Sequence, residues 1–111
     1  MTIVYARRSA LHRATPKKYM IGGNGGLYAY ADTLEGAKMA GAEIAKHQYM
    51  RGSWNISFIT IPILVADTAG VYRHTGWRMY VPVRGTGVHY KDIVERIRKR
   101  HNVAPMVWTK N

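Results

Sequence analysis

Trp54-Asn55-Ile56-Ser57-Phe58-Ile59-Thr60-Ile61-Pro62-Ile63-Leu64-Val65-Ala66 is the longest apolar run of the chain. Its first part alternates, with Trp54, Ile56 and Phe58 on one face and Asn55 and Ser57 on the other, the period-two pattern of a half-buried strand. From Ile59 onward both faces turn apolar, which suits a strand covered on two sides. Pro62 constrains that placement: it has no N–H to give to a ladder, so it belongs at a sheet edge or a bulge. An apolar edge strand would pair with a second copy of the chain and make a homodimer.

Upstream of this run, residues 17 to 21 read as a strand, followed by Gly22-Gly23-Asn24-Gly25-Gly26 and the aromatic stretch Leu27-Tyr28-Ala29-Tyr30-Ala31. Asn-Gly favours tight turns, so a β-hairpin is expected. Asp32-Thr33-Leu34-Glu35 has the spacing of a capping box, in which Asp32 accepts from the N–H of residue 35 and Glu35 reaches back. The helix that starts there should run to residue 48 or 49, with Leu34, Ala37, Gly41, Ile44, Ala45 and Gln48 on one face and Glu35, Lys38, Ala42 and Lys46 toward solvent. Ala37, Ala40, Gly41 and Ala45 are small enough to bring the helix axis close to the sheet. Close packing is the natural reason for Gly36 and Gly41, each of which costs about 1 kcal/mol against Ala in a helix interior.

Downstream, Asp67-Thr68-Ala69-Gly70 is a turn, and residues 71 to 74, Thr75-Gly76 and residues 77 to 83 read as a second hairpin. Arg84-Gly85-Thr86-Gly87 is a loop, after which Tyr90, Ile93, Val94 and Ile97 mark a helix ending at His101. Its last turn, Arg98-Lys99-Arg100-His101, puts cations at the negative end of the helix dipole. Trp108 in the tail should fold back onto the body. The sum is an α+β chain: a basic N-terminal arm over residues 1 to 16 with one short strand near its start, then a single small domain over residues 17 to 111. That domain is expected to hold a mostly antiparallel sheet of four to five strands with two helices. The hairpin followed by Thr33-x-x-x-Ala37 at a helix start resembles the sheet-plus-helix arm-binding modules of phage integrases, over that segment alone and with no residue roles transferred.

Charge points outward, with 17 Lys and Arg against 6 Asp and Glu in 111 residues, a formal net charge of +11. No carboxylate side chain precedes Asp32, whereas Arg7, Arg8, Arg13, Lys17 and Lys18 are all basic. Residues 67 to 111 add nine basic side chains against Asp67, Asp92 and Glu95. With 8 Tyr, 3 Trp and 1 Phe the chain has too many core formers for a disordered basic tail, and its length suits one domain. Basic and aromatic residues interleave in both hairpins: Lys17, Lys18, Tyr19, Tyr28 and Tyr30 in the first, Arg73, His74, Trp77, Arg78, Tyr80 and Arg84 in the second. A flat face of this kind can stack bases and neutralise phosphates together. The expected function is therefore a small basic protein that contacts DNA or RNA mainly through phosphates. Arg7, Arg8, Arg13, Lys17 and Lys18 would anchor the arm, Arg73, Arg78 and Arg84 the sheet face, and Arg96, Lys99 and Arg100 a neighbouring phosphate run.

The alternative from the same composition is a phage-type inhibitor or adaptor that occupies an acidic or nucleic-acid-binding groove on a host protein without catalysis. No enzyme is expected. His12, His47, His74, His89 and His101 form no spacing that singles out an acid/base pair, His74 and His89 being the nearest to one because they flank the basic hairpin. With no cysteine and no clustered His or carboxylate spacing, neither disulfides nor a metal or other cofactor is expected. Gly22 to Gly26 lacks the Lys-Ser/Thr of a phosphate-binding Walker loop, and Gly23-Asn24-Gly25-Gly26 matches the GXXG of KH domains but joins strands where that family joins helices. Arg84-Gly85-Thr86-Gly87 before a helix is the better anion site of the two. The C-terminal helix is basic and amphipathic, but its apolar stripe is short and better assigned to the core than to a membrane surface. No secretory signal and no membrane span are read, so the expected location is the cytoplasm.

Overall fold

A computed structural model describes residues 3–7, 16–22, 27–51, 58–82 and 90–110. Six strands, β1 (Ile3–Arg7), β2 (Tyr19–Gly22), β3 (Leu27–Ala31), β4 (Phe58–Ala66), β5 (Tyr72–Pro82) and β6 (Thr109–Lys110), form one sheet in the order β1-β3-β2-β4-β5-β6. All five pairings are antiparallel. Two helices, α1 (Leu34–Arg51) and α2 (Tyr90–His101), complete an α+β domain. The sheet is wider than expected because it gains a strand at each margin. Residues 3 to 7, assigned to the arm, pair along β3 as the edge strand β1, and Thr109–Lys110 pairs with Trp77 and Arg78. Residues 1, 2 and 8 to 15 of the arm lie outside the described residues.

Strand β4 is interior, hydrogen-bonded to β2 on one side and β5 on the other, so the apolar edge on which a second copy was expected to pair is already occupied. Pro62 is accommodated at a bulge instead. Pro62 faces Arg78 and Leu64 faces His74, so Ile63 alone stands opposite residues 75 to 77. Here the Thr75 hydroxyl stands in for the ladder, donating to the Ile63 carbonyl at 2.8 Å and accepting from the Trp77 N–H at 3.1 Å. Gly76 takes φ 93°, a value that a residue with a Cβ rarely adopts. Thr75-Gly76 is thus a bulge within one continuous strand rather than the turn of a second hairpin. The real hairpin turn is at residues 67 to 70, where Asp67 Oδ1 accepts from the N–H groups of Ala69 and Val71, both at 2.9 Å.

Helix α1 covers one face of the sheet. Ala37, Ala40, Gly41, Ile44 and Ala45 are buried against Ile21, Ala29, Ala31, Ile59, Ile61, Ile63, Met79 and Val81. Each fully buried Ile contributes about 1.5–3 kcal/mol of transfer free energy. Its N-cap is Thr33 and not Asp32: Thr33 Oγ1 accepts from the Gly36 N–H at 3.0 Å, while the Asp32 carboxylate turns to Lys17. Trp108 does fold back, and its ring lies against Gly41 where a Cβ would collide with it. The indole N–H donates to the Lys38 carbonyl at 3.2 Å. Gly41 therefore makes room for the tail rather than for the sheet, and Lys38 lies over the Trp77 ring at 3.6 Å instead of pointing freely to solvent.

Helix α2 packs on the opposite face, at one end only. Ile93 and Ile97 are buried there with Tyr80, flanked by Phe58 and Val103. His101 stacks on Tyr80 with ring centroids 4.3 Å apart. Asn102 ends the helix at φ 54°, its N–H donating to the Arg98 carbonyl at 2.8 Å.

Candidate nucleic-acid interface

The register fixes which residues share the face that α1 leaves open. Opposed pairs point the same way, so Tyr30, Met20, Leu64 and His74 form one row, Tyr28 and Gly22 another, and Pro62 with Arg78 and Thr60 with Tyr80 two more. Helix α2 covers only the Phe58 and Tyr80 end of this surface. At the other end Tyr30 and Tyr72 stack with centroids 6.0 Å apart, and the Tyr72 hydroxyl donates to the Lys17 carbonyl at 2.6 Å. Burial pushes the Tyr72 phenol above its ordinary pKa, so the hydroxyl keeps the proton that it donates.

Between these two ends lies a cleft of about 500 Å³, lined by Met20, Gly22, Tyr28, Thr60, Pro62, Leu64, His74, Gly76, Trp77 and Arg78. Gly22 gives the cleft its shape, because the Tyr28 ring lies across it where any Cβ would clash. The lining is mostly apolar and aromatic, with the Thr60 hydroxyl, the Arg78 guanidinium and the His74 imidazole among its polar groups. All six side-chain carboxylates, Asp32, Glu35, Glu43, Asp67, Asp92 and Glu95, belong to described residues, and none of them lines it. Arg78 has no ion-pair partner among the described residues. An uncompensated guanidinium in a half-buried apolar wall is an anion-binding arrangement, because lowered local dielectric strengthens its field.

The expected site residues separate into distinct groups. Arg78 is in the cleft. Lys99 and Arg100, with Arg98, are exposed on the last turn of α2, next to the covered end of the same face, and Arg96 is exposed on that helix as well. Lys17 forms an ion pair with Asp32 at 3.3 Å, which takes up much of its charge locally. Lys18 is exposed, its ammonium 5.6 Å from the Tyr19 ring centre. Arg73 does not share a face with Arg78, contrary to expectation. It opposes Val65 on the α1 side, because the two residues lie an odd number of positions apart and the bulge adds an even number. Its Nε donates instead to Asp67 at 2.8 Å, and this bond holds the Asp67 carboxyl below the usual carboxylate range, helped by the Val71 and Ala69 N–H groups. Arg7 ends strand β1, while Arg8, Arg13 and Arg84, with the Arg84-Gly85-Thr86-Gly87 loop and the Gly23 to Gly26 tip, lie outside the described residues.

Sequence reasoning missed Met20, Thr60, Pro62 and Leu64 as part of this surface. The signal was present in the even-numbered positions of β4, which carry Thr60 and Pro62 among larger aliphatics. The apolar residues on both sides of them, Ile59, Ile61, Ile63 and Leu64, mask it. Of the histidines, His74 lines the cleft and His101 is stacked on Tyr80, whereas His12 and His89 lie outside the described residues. Among the described residues no three His, Asp or Glu side chains gather as metal ligands, and no helix is long and apolar enough to cross a membrane. No family model, no curated protein and no solved structure matches this chain.

Proposed function

We propose that this chain is a small basic nucleic-acid-binding protein of the cytoplasm, without catalysis of its own, that holds DNA or RNA mainly through phosphate contacts. The observation that carries the proposal is the open sheet face: Arg78, with no carboxylate partner among the described residues, in an aromatic cleft that no acidic side chain lines. Arg98, Lys99 and Arg100 extend the positive field along α2, and Arg7, Arg8, Arg13, Lys18, Arg84 and Arg96 add to it from the rest of the chain. Lys17 and Arg73 contribute less, since each is held by a carboxylate. Cations of this density release counterions from a phosphate backbone, which supplies sequence-independent affinity.

The test is a fluorescence-anisotropy titration against single-stranded DNA, duplex DNA and RNA at several salt concentrations. Binding should weaken steeply with salt, and Arg78→Ala should weaken it for every sequence while lowering the log–log salt slope by about 0.7–0.9. An affinity indifferent to salt, or no binding at low salt by the folded protein, would turn attention to an acidic protein partner.

A further inference from the structure

Resting on the nucleic-acid reading above, we infer that the cleft holds one unpaired nucleotide, so that the protein selects single strands over duplex. The cleft volume, about 500 Å³, falls within the range of roughly 300–1,000 Å³ typical of small-molecule sites and suits a single nucleotide. Its chemistry matches the parts of that ligand. The Tyr28 ring, laid against Gly22, offers a face for a base to stack upon, and Pro62 and Leu64 form an apolar floor. Arg78 stands one row from His74 on the same face, where a guanidinium and an imidazole can grip the phosphate that a stacked base brings with it. Charge complementarity is one-sided, since no carboxylate lines the cleft to compete for Arg78.

Stacking excludes the paired form. The cleft lies on the sheet face between the α2 packing at Phe58 and Tyr80 and the Tyr30–Tyr72 stack, with the Tyr28 ring in its wall. Bases inside a duplex are stacked on their neighbours and cannot present a face to Tyr28 without being unpaired, whereas a single strand can splay one out. The exposed cations of α2 lie beside the covered end, where they can track the phosphates of the strand that continues past the cleft.

The experiment uses short DNA and RNA oligonucleotides that carry one 2-aminopurine, each as a single strand and as a duplex, with binding and 2-aminopurine emission read together. Single strands should bind at least about tenfold more tightly than the duplex, with an emission change that reports stacking. The DNA and RNA arms show which sugar the cleft accepts. Tyr28→Leu, which removes the ring but keeps an apolar side chain, and Thr60→Glu, which places a carboxylate at a half-exposed lining position, should each cut single-strand affinity about tenfold and abolish the emission change. Both variants should keep the wild-type circular dichroism spectrum. Duplex bound as tightly as single strand, or emission unaltered by both substitutions, would overturn the cleft assignment while leaving a phosphate-binding protein. Absence of binding to any oligonucleotide would remove the nucleic-acid reading itself.

Discussion

The two faces of the sheet are built from alternate residues of the same strands and have opposite characters. On the face under α1, β4 presents Ile59, Ile61 and Ile63, all buried, against a helix surface of Ala37, Ala40, Gly41, Ile44 and Ala45. On the other face it presents Thr60, Pro62 and Leu64, all half-buried, while β3 adds Tyr28 and β5 adds His74 and Arg78. One face is sealed by small residues and closed over by the Trp108 tail. Among the described residues, the other is covered by a helix only at its α2 end. An apolar strand can thus give one set of side chains to the core and leave the alternate set half-exposed.

The contrast can be broken most forcefully at Ile61. Ile61→Ala removes a fully buried side chain from the α1 face and should cost about 2–5 kcal/mol in urea unfolding, with oligonucleotide affinity of the folded fraction unchanged. Leu64→Ala on the open face of the same strand should cost less than roughly half of that, since its side chain gives up less buried area. Equal losses would mean that the two faces are equally packed. A second blow falls on the bulge that separates His74 from Arg78. Thr75→Val keeps the shape but leaves the Ile63 carbonyl and the Trp77 N–H without the hydroxyl, and about 1–3 kcal/mol of stability should be lost.

Arg78→Ala sharpens the contrast from the other side. Stability should move by no more than about 0.5 kcal/mol, the usual range for a surface change, while binding weakens as described above. The smallest effect is expected at the β4–β5 turn. Because Arg73 lowers the Asp67 carboxyl in the folded state, the stability it brings is present above the ordinary carboxylate pKa of about 3.9 and fades as pH falls through the folded value. Asp67→Asn should therefore flatten this part of the acid limb of an unfolding profile and leave affinity at neutral pH as it is. An unchanged acid limb would show that the Arg73 contact is screened away by solvent.

Much of this fold was legible in local chemistry. The glycine-rich hairpin, the small-residue helix, the turn at Asp67 and the return of Trp108 follow from glycine, Asn, Asp and aromatic placement in the chain. What escaped depends on partners distant in sequence. Asp32 has the spacing of a cap because residue 35 is near it, but Lys17 reaches it across the fold and leaves the cap to Thr33. Thr75-Gly76 has the composition of a turn, and only its register against Pro62 and Leu64 on the neighbouring strand makes it a bulge. The same limit holds for the site. The interleaving of Arg78, His74 and Tyr28 was visible in the sequence, yet which of the basic residues lack a carboxylate partner is decided by tertiary contacts that captured Lys17 and Arg73 and passed over Arg78.

The most direct measurement is a map of backbone amide chemical-shift changes as a short single-stranded oligonucleotide is added to the isotope-labelled protein. Changes should gather at Met20, Tyr28, Thr60, Leu64, His74 and Arg78, with Ala37, Ala40 and Ile44 unmoved. Changes centred on α1, or spread evenly over every basic residue with the cleft silent, would contradict the cleft assignment.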